Sequence, residues 1–268
     1  MKFSALLILL LALGARAQSV STLMGARANG MGYASAALFD EFAILNNIAG
    51  MAQLTQPAGA VAYHVAAAIP AANRAAFAFS VPVKAGVLGV GMFRFGDKVY
   101  NESILSAGFS NQFGLAALGV KVNYIQYQAE GFGTKGVFTI GMGGIAELTN
   151  EISIGAYISN INRPDISADG DKVPALLNAS LTFTPTDNVR VAAEIQKDLD
   201  YPTTWKAGLE YTFHPKFVAR TGFNLKPDAA FFGMGFKTSR LRLDYALQHS
   251  TLLQFSHQAS AICTLGKL

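Results

Sequence analysis

The sequence predicts an all-β protein: a transmembrane antiparallel β-barrel of about fourteen strands with an N-terminal segment plugging its lumen. Three observations carry this expectation. First, the stretch 188–225 holds three successive segments that alternate apolar and polar residues with period two, so each has one oily and one charged face when extended. The second of these, 204–213, sets Trp205, Leu209, Tyr211 and Phe213 against Lys206 and Glu210. It exceeds the usual strand of about 5–6 residues and matches the roughly 9–11 that a tilted strand needs to cross a bilayer. Second, the chain is 51% hydrophobic and 14% charged, yet beyond residue 17 no apolar run of about 18 residues escapes a charge, a proline or a strongly polar side chain, which argues against spanning helices. An apolar-rich exported chain of this kind satisfies its backbone in lipid only by closing a sheet. Third, turn signals punctuate the chain at strand-length intervals from Pro57 onward.

Residues 1–17 read as a cleaved secretory signal, with Lys2, the apolar run Ala5–Leu13 and the small-x-small site Ala15-Arg16-Ala17 before Gln18. No cysteine follows the run, so it is not a lipoprotein signal. The single Cys263 cannot form an intrachain disulfide and, in an apolar strand pattern, is expected to be a small buried hydrophobe. The formal net charge is +4, and removal of Lys2 and Arg16 leaves 19 basic and 17 acidic residues. That balance argues against nucleic acid as a partner and against a polybasic lipid anchor.

Residues 18–56 are rich in Gly and Ala and too short for a domain, so they read as a plug or latch. One short helix is expected there, from Leu38, Phe42, Leu45 and Ala49 near helical spacing, with Asp40 and Glu41 toward its start. Asn46-Asn47 and then Gly50 supply its stop.

The barrel occupies 57–268. Its strands are expected at about 58–68, 74–83, 86–96, 99–110, 113–127, 135–148, 151–160, 175–184, 188–197, 204–213, 216–225, 229–238, 240–248 and 254–265. With both termini in the periplasm, connections leaving even-numbered strands should be tight: Asn111-Gln112, Thr149-Asn150, Pro185-Thr186-Asp187, His214-Pro215 and Ser239. The longest connection, 161–174, leaves the seventh strand and falls on the cell exterior. Aromatic residues near strand ends (Tyr100, Tyr124, Tyr127, Tyr201, Trp205, Tyr211, Phe213, Phe217 and Tyr245) are expected to form the interfacial girdle.

The inner faces of the two halves differ. Strands eight to thirteen carry Arg190, Glu194, Lys206, Glu210, Arg220, Lys237, Arg242 and Asp244. The first two strands carry Ala60, Ala62, His64, Ala66 and Ala68, then Ala76, Ala78 and Ser80, a small-residue wall against which residues 20–50 would lie. The luminal charges could line a path for a solute, but opposite signs at this spacing favour a structural ion-pair network that closes the bore and holds the plug. Nothing argues for an enzyme, a cofactor or a metal. His64, His214, His249 and His257 are far apart in sequence, and Asp165, Asp169 and Asp171 around Gly170 lack the spacing and distal Glu of an EF-hand, so a solvated loop explains them. The glycines of 141–144 and 25–32 do not sit between a strand and a helix as a phosphate-cradling loop requires.

The stretch 25–52 resembles the mature start of FadL-type outer-membrane proteins and, among them, the PorV/PorQ family associated with type IX secretion. Gly25, Ala26, Arg27, Met31, Gly32, Asp40, Asn47, Ala49 and Gly50 match that family's opening and its Asn-Pro-Ala-Gly signature, with Ile48 in place of the proline. Later stretches are similar too: Tyr201-Pro202, Gly208–Tyr211, Arg220–Phe223, Leu243–Ala246 and Ser256–Ser260. The resemblance implies a fourteen-stranded outer-membrane barrel with Arg27, Asp40, Asn46, Asn47 and Gly50 in a luminal plug. It also implies partners beyond the membrane lipid. These would be translocon or attachment-complex proteins and secreted cargo for a PorV-like member, or a hydrophobic small molecule such as a long-chain fatty acid for a FadL-like transporter.

Overall fold

The computed structural model describes residues 21–167, 170–198, 202–225, 227–251 and 254–266; the expected signal at 1–17 lies outside them. The strands are β1 (Ala58–Ala66), β2 (Arg74–Val83), β3 (Gly86–Gly96), β4 (Tyr100–Phe113), β5 (Ala116–Ala129), β6 (Gly133–Glu147) and β7 (Ile152–Ser159), then β8 (Leu176–Thr186), β9 (Val189–Asp198), β10 (Thr204–His214), β11 (Phe217–Leu225), β12 (Ala229–Lys237), β13 (Leu241–Ser250) and β14 (Gln254–Thr264). Each pairs antiparallel with its chain neighbours, and β1 closes on β14 from Ala58 opposite Thr264 to Ala66 opposite Ser256. The fold is therefore an all-β closed barrel of fourteen strands. Among the described residues no helix is long and apolar enough to cross a membrane.

Period-two patterning decides which face is which. Outward positions leave large apolar side chains bare all around the wall, with Met92 57%, Phe138 64%, Trp205 57% and Met234 60% exposed. An apolar belt of this extent is not stable in water and is the surface a hydrocarbon solvent covers. Inward positions hold Ala60, Ala62, Ala76, Ala78 and Ser80 on one side and Glu194, Lys206, Glu210, Arg220 and Asp244 on the other, all buried.

The bore is filled by residues 23–52. The single helix expected over 38–49 is instead broken into pieces. Helix α1 (Ala26–Gly30) is followed by two 3-10 turns, Glu41–Ile44 and Ile48–Met51. Asp40 caps the first by accepting from the Phe42 amide, and Asn47 caps the second by accepting from the Ala49 amide. Two side chains that prefer to bond the nearby backbone thus interrupt a helical pattern, and the bend at Asn47 forms with Ile48 in place of proline.

Several local expectations are corrected. Asn111-Gln112 lies within β4, and the turn falls at 114–115, where Gly114 takes a positive φ of 58°. Pro185 and Thr186 remain in β8 because the register slips between Phe183 and Thr186, leaving the turn at 187–188. Strand β1 ends at Ala66, so Ala68 is exposed and outside the small-residue wall. Cys263 is exposed on the outward face of β14 rather than buried; in a barrel the apolar side faces lipid, so an apolar position is not an interior one. Tyr127 and Tyr100 lie on the inward register, Tyr100 bonding Glu102 through its hydroxyl at 2.7 Å, and Tyr201 lies outside the described residues, so none of the three belongs to the observed girdle.

The plug meets bare backbone. A Cβ at Gly222 would overlap the Gly32 amide nitrogen, and one at Gly155 would overlap the Ala36 carbonyl. Replacing Gly222 with Leu should therefore unseat the plug while the barrel still forms. Limited proteolysis should then cut within residues 23–52 of the variant at least ten times faster than in the parent; equal rates would show that the wall does not need that approach.

Candidate functional site

Strand register builds the first cluster. Glu210 on β10 stands directly opposite Arg190 on β9 and Arg220 on β11, and its carboxylate accepts from Arg190 Nη1 at 2.9 Å and Arg220 Nε at 2.7 Å. Arg220 then reaches across β12 to Asp244 at 2.7 Å, which is open to it because Gly235 places no side chain between them. The plug enters this network directly. Arg27 donates through Nε and Nη2 to both oxygens of Glu210 at 2.9 and 2.8 Å, and through Nη1 to Asp40 at 3.4 Å and the Phe39 carbonyl at 3.1 Å. Arg242 bonds Asp244 at 3.1 Å, Asp40 at 3.1 Å and Glu41 at 2.7 Å. Arg27, Arg190, Arg220 and Arg242 face Asp40, Glu41, Glu210 and Asp244, so the cluster is neutral and its fork geometries are used.

A second cluster lies one step along the same wall. Lys206 and Glu194 are cross-strand neighbours, paired at 3.0 Å and almost wholly buried. The other Glu194 oxygen accepts from the Ser35 and Ala36 amides, both at 2.8 Å. Inside the plug, Asn46 bonds both main-chain groups of Met24, and Asn47 donates to the Ala36 and Gly144 carbonyls. The Gly50 carbonyl accepts from the Asp40 amide at 3.2 Å, and a Cβ there would overlap the Leu38 carbonyl.

The structure thus joins Arg190, Glu210, Arg220, Arg242 and Asp244 with Arg27 and Asp40, and sets Glu194 with Lys206 apart. Lys237 lies at an exposed strand end, on the rim of a polar basin of about 220 Å³ beneath the first cluster. Asp165 pairs with Lys172 at 3.2 Å on the exposed long connection. Among the described residues no group of His, Cys, Asp and Glu is arranged to hold a metal ion.

Sequence reasoning missed the opposite flank. Lys121 on β5 is buried, pairs with no carboxylate among the described residues, and donates to the carbonyls of Ile44, Leu45 and Asn46 at 2.9, 3.1 and 3.0 Å, closing the end of a plug turn. Its signal was the alternation of β5, where Lys121 and Asn123 share the inward face. Beyond Glu102, Ser106 and Asn123, that side of the bore is apolar: Phe42, Ile44, Leu45, Ile48 and Met51 of the plug pack with Ala60, Ala78, Val87, Phe93, Ile104 and Ile125 of β1–β5. The described residues of the connection, 160–167 and 170–175, fold over that end, with Val173 1% exposed in the same cluster. Between plug and connection is a chamber of about 40 Å³ lined by Phe93, Glu102, Ile104, Lys121, Asn123, Ile125, Tyr127, Val173 and others.

Comparison with solved structures finds the same architecture. The chain resembles the monoaromatic hydrocarbon channel CymD, with a TM-score of 0.73 at 13% identity over 92% of this chain and 99% of that one. It resembles the Pseudomonas putida toluene transporter TodX, with a TM-score of 0.67 at 13% identity over 91% and 98%. For a Pseudomonas aeruginosa FadL homologue the values are 0.67 and 11% over 92% and 100%. These likenesses establish the fold of FadL-like outer-membrane barrels. No family model and no curated protein sequence matches the chain.

Two outcomes follow. Glu210→Ala leaves Arg27, Arg190 and Arg220 without their shared carboxylate and should cost about 3–5 kcal/mol in urea unfolding, as for other broken buried pairs; a loss under about 1 kcal/mol would contradict the network. Burial alone would raise the Asp40 carboxyl of the plug, but Arg242 and Arg27 hold it below the usual carboxylate range. Its contribution is therefore complete above the ordinary value of about 3.9 and is lost as pH falls through the lower folded value. Protease resistance of the plug should persist at pH 5 and fail well below pH 4.

Proposed function

We propose that the chain is a FadL-like channel of the outer membrane that passes small hydrophobic molecules, exported by a signal at 1–17, with its short turns in the periplasm and the connection 160–175 outside. One observation carries the reading: the bore is divided lengthwise, with charged groups committed to ion pairs along β9–β13 and a largely apolar flank along β1–β5 into which Lys121 and Glu102 are set. Ion-paired groups fix the plug on one side; the apolar flank offers an oily solute a surface that water leaves readily. The chamber under Val173 lies on that flank. Fold likeness to channels for monoaromatic hydrocarbons and toluene supports the same reading, and lipid is the partner of the outer belt.

The motif 25–52 motivates a second reading, a PorV/PorQ-type accessory of type IX secretion or surface attachment that binds translocon proteins or cargo. It rests on motif order alone. The connections at 97–99 and 130–132 on the outward rim are too short to grip a folded domain.

Cells lacking their own hydrocarbon channels and expressing this protein should take up labelled toluene several-fold faster than cells without it, and Ile125→Asn on the apolar flank should remove most of the gain. Uptake that does not depend on the protein, together with recovery of secretion components in pull-downs from outer membranes, would favour the second reading.

A further inference from the structure

The chamber above the plug is not uniformly oily. Its wall combines Phe93, Ile104, Ile125 and Val173 with the buried carboxyl of Glu102 and the hydroxyl of Tyr127. Most polar groups around it are already used. Lys121 gives its three donors to plug carbonyls, and Ser106, Asn123 and Thr139 bond one another in series at 2.8 and 3.1 Å. Glu102 differs: it is 5% exposed, and among the described residues its one bond is to the Tyr100 hydroxyl at 2.7 Å through Oε1. Among the described residues neither its Oε2 nor the Tyr127 hydroxyl has a protein partner, and both residues line the chamber. An acid buried among apolar side chains with one neutral hydrogen bond and no cation is costly unless something completes it. An acidic side chain facing a cavity inside a membrane barrel is by default a functional group.

We infer that this chamber selects, among small apolar molecules, those bearing an O–H or N–H donor, which Glu102 Oε2 accepts while the Tyr127 hydroxyl completes the contact. This rests on the channel reading above and narrows its substrate class to alcohols, phenols and amines in preference to bare hydrocarbons. A carboxylate is disfavoured because Glu102 would meet it with acceptors, and Lys121, the ammonium among the chamber's lining residues, is committed to plug carbonyls. The chamber of about 40 Å³ is smaller than the roughly 150 Å³ cavity that takes benzene. An occupied state therefore requires the surrounding apolar side chains to shift.

The test is a ¹⁹F NMR titration of the full chain in detergent with 4-fluorobenzyl alcohol, 4-fluorobenzylamine and fluorobenzene, each corrected for partition into empty micelles. The alcohol and the amine should bind about ten-fold or more tighter than fluorobenzene, the size of a hydrogen bond to a charged group. Glu102→Leu should abolish that preference while fluorobenzene binding persists. If that variant does not fold, Glu102→Gln, which keeps an acceptor oxygen, should retain the alcohol preference and lose the amine's, and Tyr127→Phe should weaken both. Equal binding of all three probes by the parent, or an unchanged preference in Glu102→Leu, overturns the donor selection and leaves the channel reading standing. Failure of all three to bind overturns both.

Discussion

A sheet in lipid has no edge that it can leave bare, because unpaired amides and carbonyls find no water there. That requirement closes the ring between β1 and β14 and fixes everything downstream. Once the ring is closed, period-two alternation turns one face of every strand to lipid and the other to a bore. Fourteen strands enclose more space than their own side chains fill, and on β1 and β2 most of those inward side chains are alanines. The chain fills the remainder with its own N-terminal segment.

Two kinds of contact hold that segment, and they act differently. Glycines on the inner wall let the plug backbone approach the strand backbone, which gives shape complementarity but no choice of register. The ion pairs supply the register: Arg27 must reach Glu210, and the amides of Ser35 and Ala36 must reach Glu194. Each buried charge would be costly alone, so one misplaced residue leaves several groups unsatisfied at once. The cluster reads as a lock for the plug rather than as a path through it. Passage is left to the flank where Lys121 is satisfied by plug carbonyls and most of the remaining surface is apolar, with Glu102 set into it.

Much of the architecture was legible in the residues because a barrel strand is a local pattern: alternation in 188–225 places Val191, Leu209 and Phe223 outward and Glu194, Glu210 and Arg220 inward without knowledge of any partner strand. What failed was information carried by tertiary contact. Periodicity over 38–49 suggested one helix, but capping by Asp40 and Asn47 and the shape of the bore break it. Cys263, expected buried from its apolar strand pattern, faces out because in this fold apolar positions face lipid, while Tyr127, expected at the lipid interface, shares the inward face of β5 with Lys121 and Asn123. The glycines at 155, 208 and 222 carried no expectation of their own in the sequence; their role appears only once the plug backbone is seen against them. Glu102 offered no sequence signal beyond an inward acidic position; its isolation is visible only in three dimensions.

The account stands on the bore being filled by the chain's own N-terminal segment, and conductance across planar bilayers measures that directly. Full-length protein should pass little or no steady current, and a variant lacking residues 21–51 should insert as a stable open pore with a conductance many times larger. Equal conductance from the two would mean that the segment does not fill the bore, and the division of the lumen into a locked flank and an apolar one would fall with it.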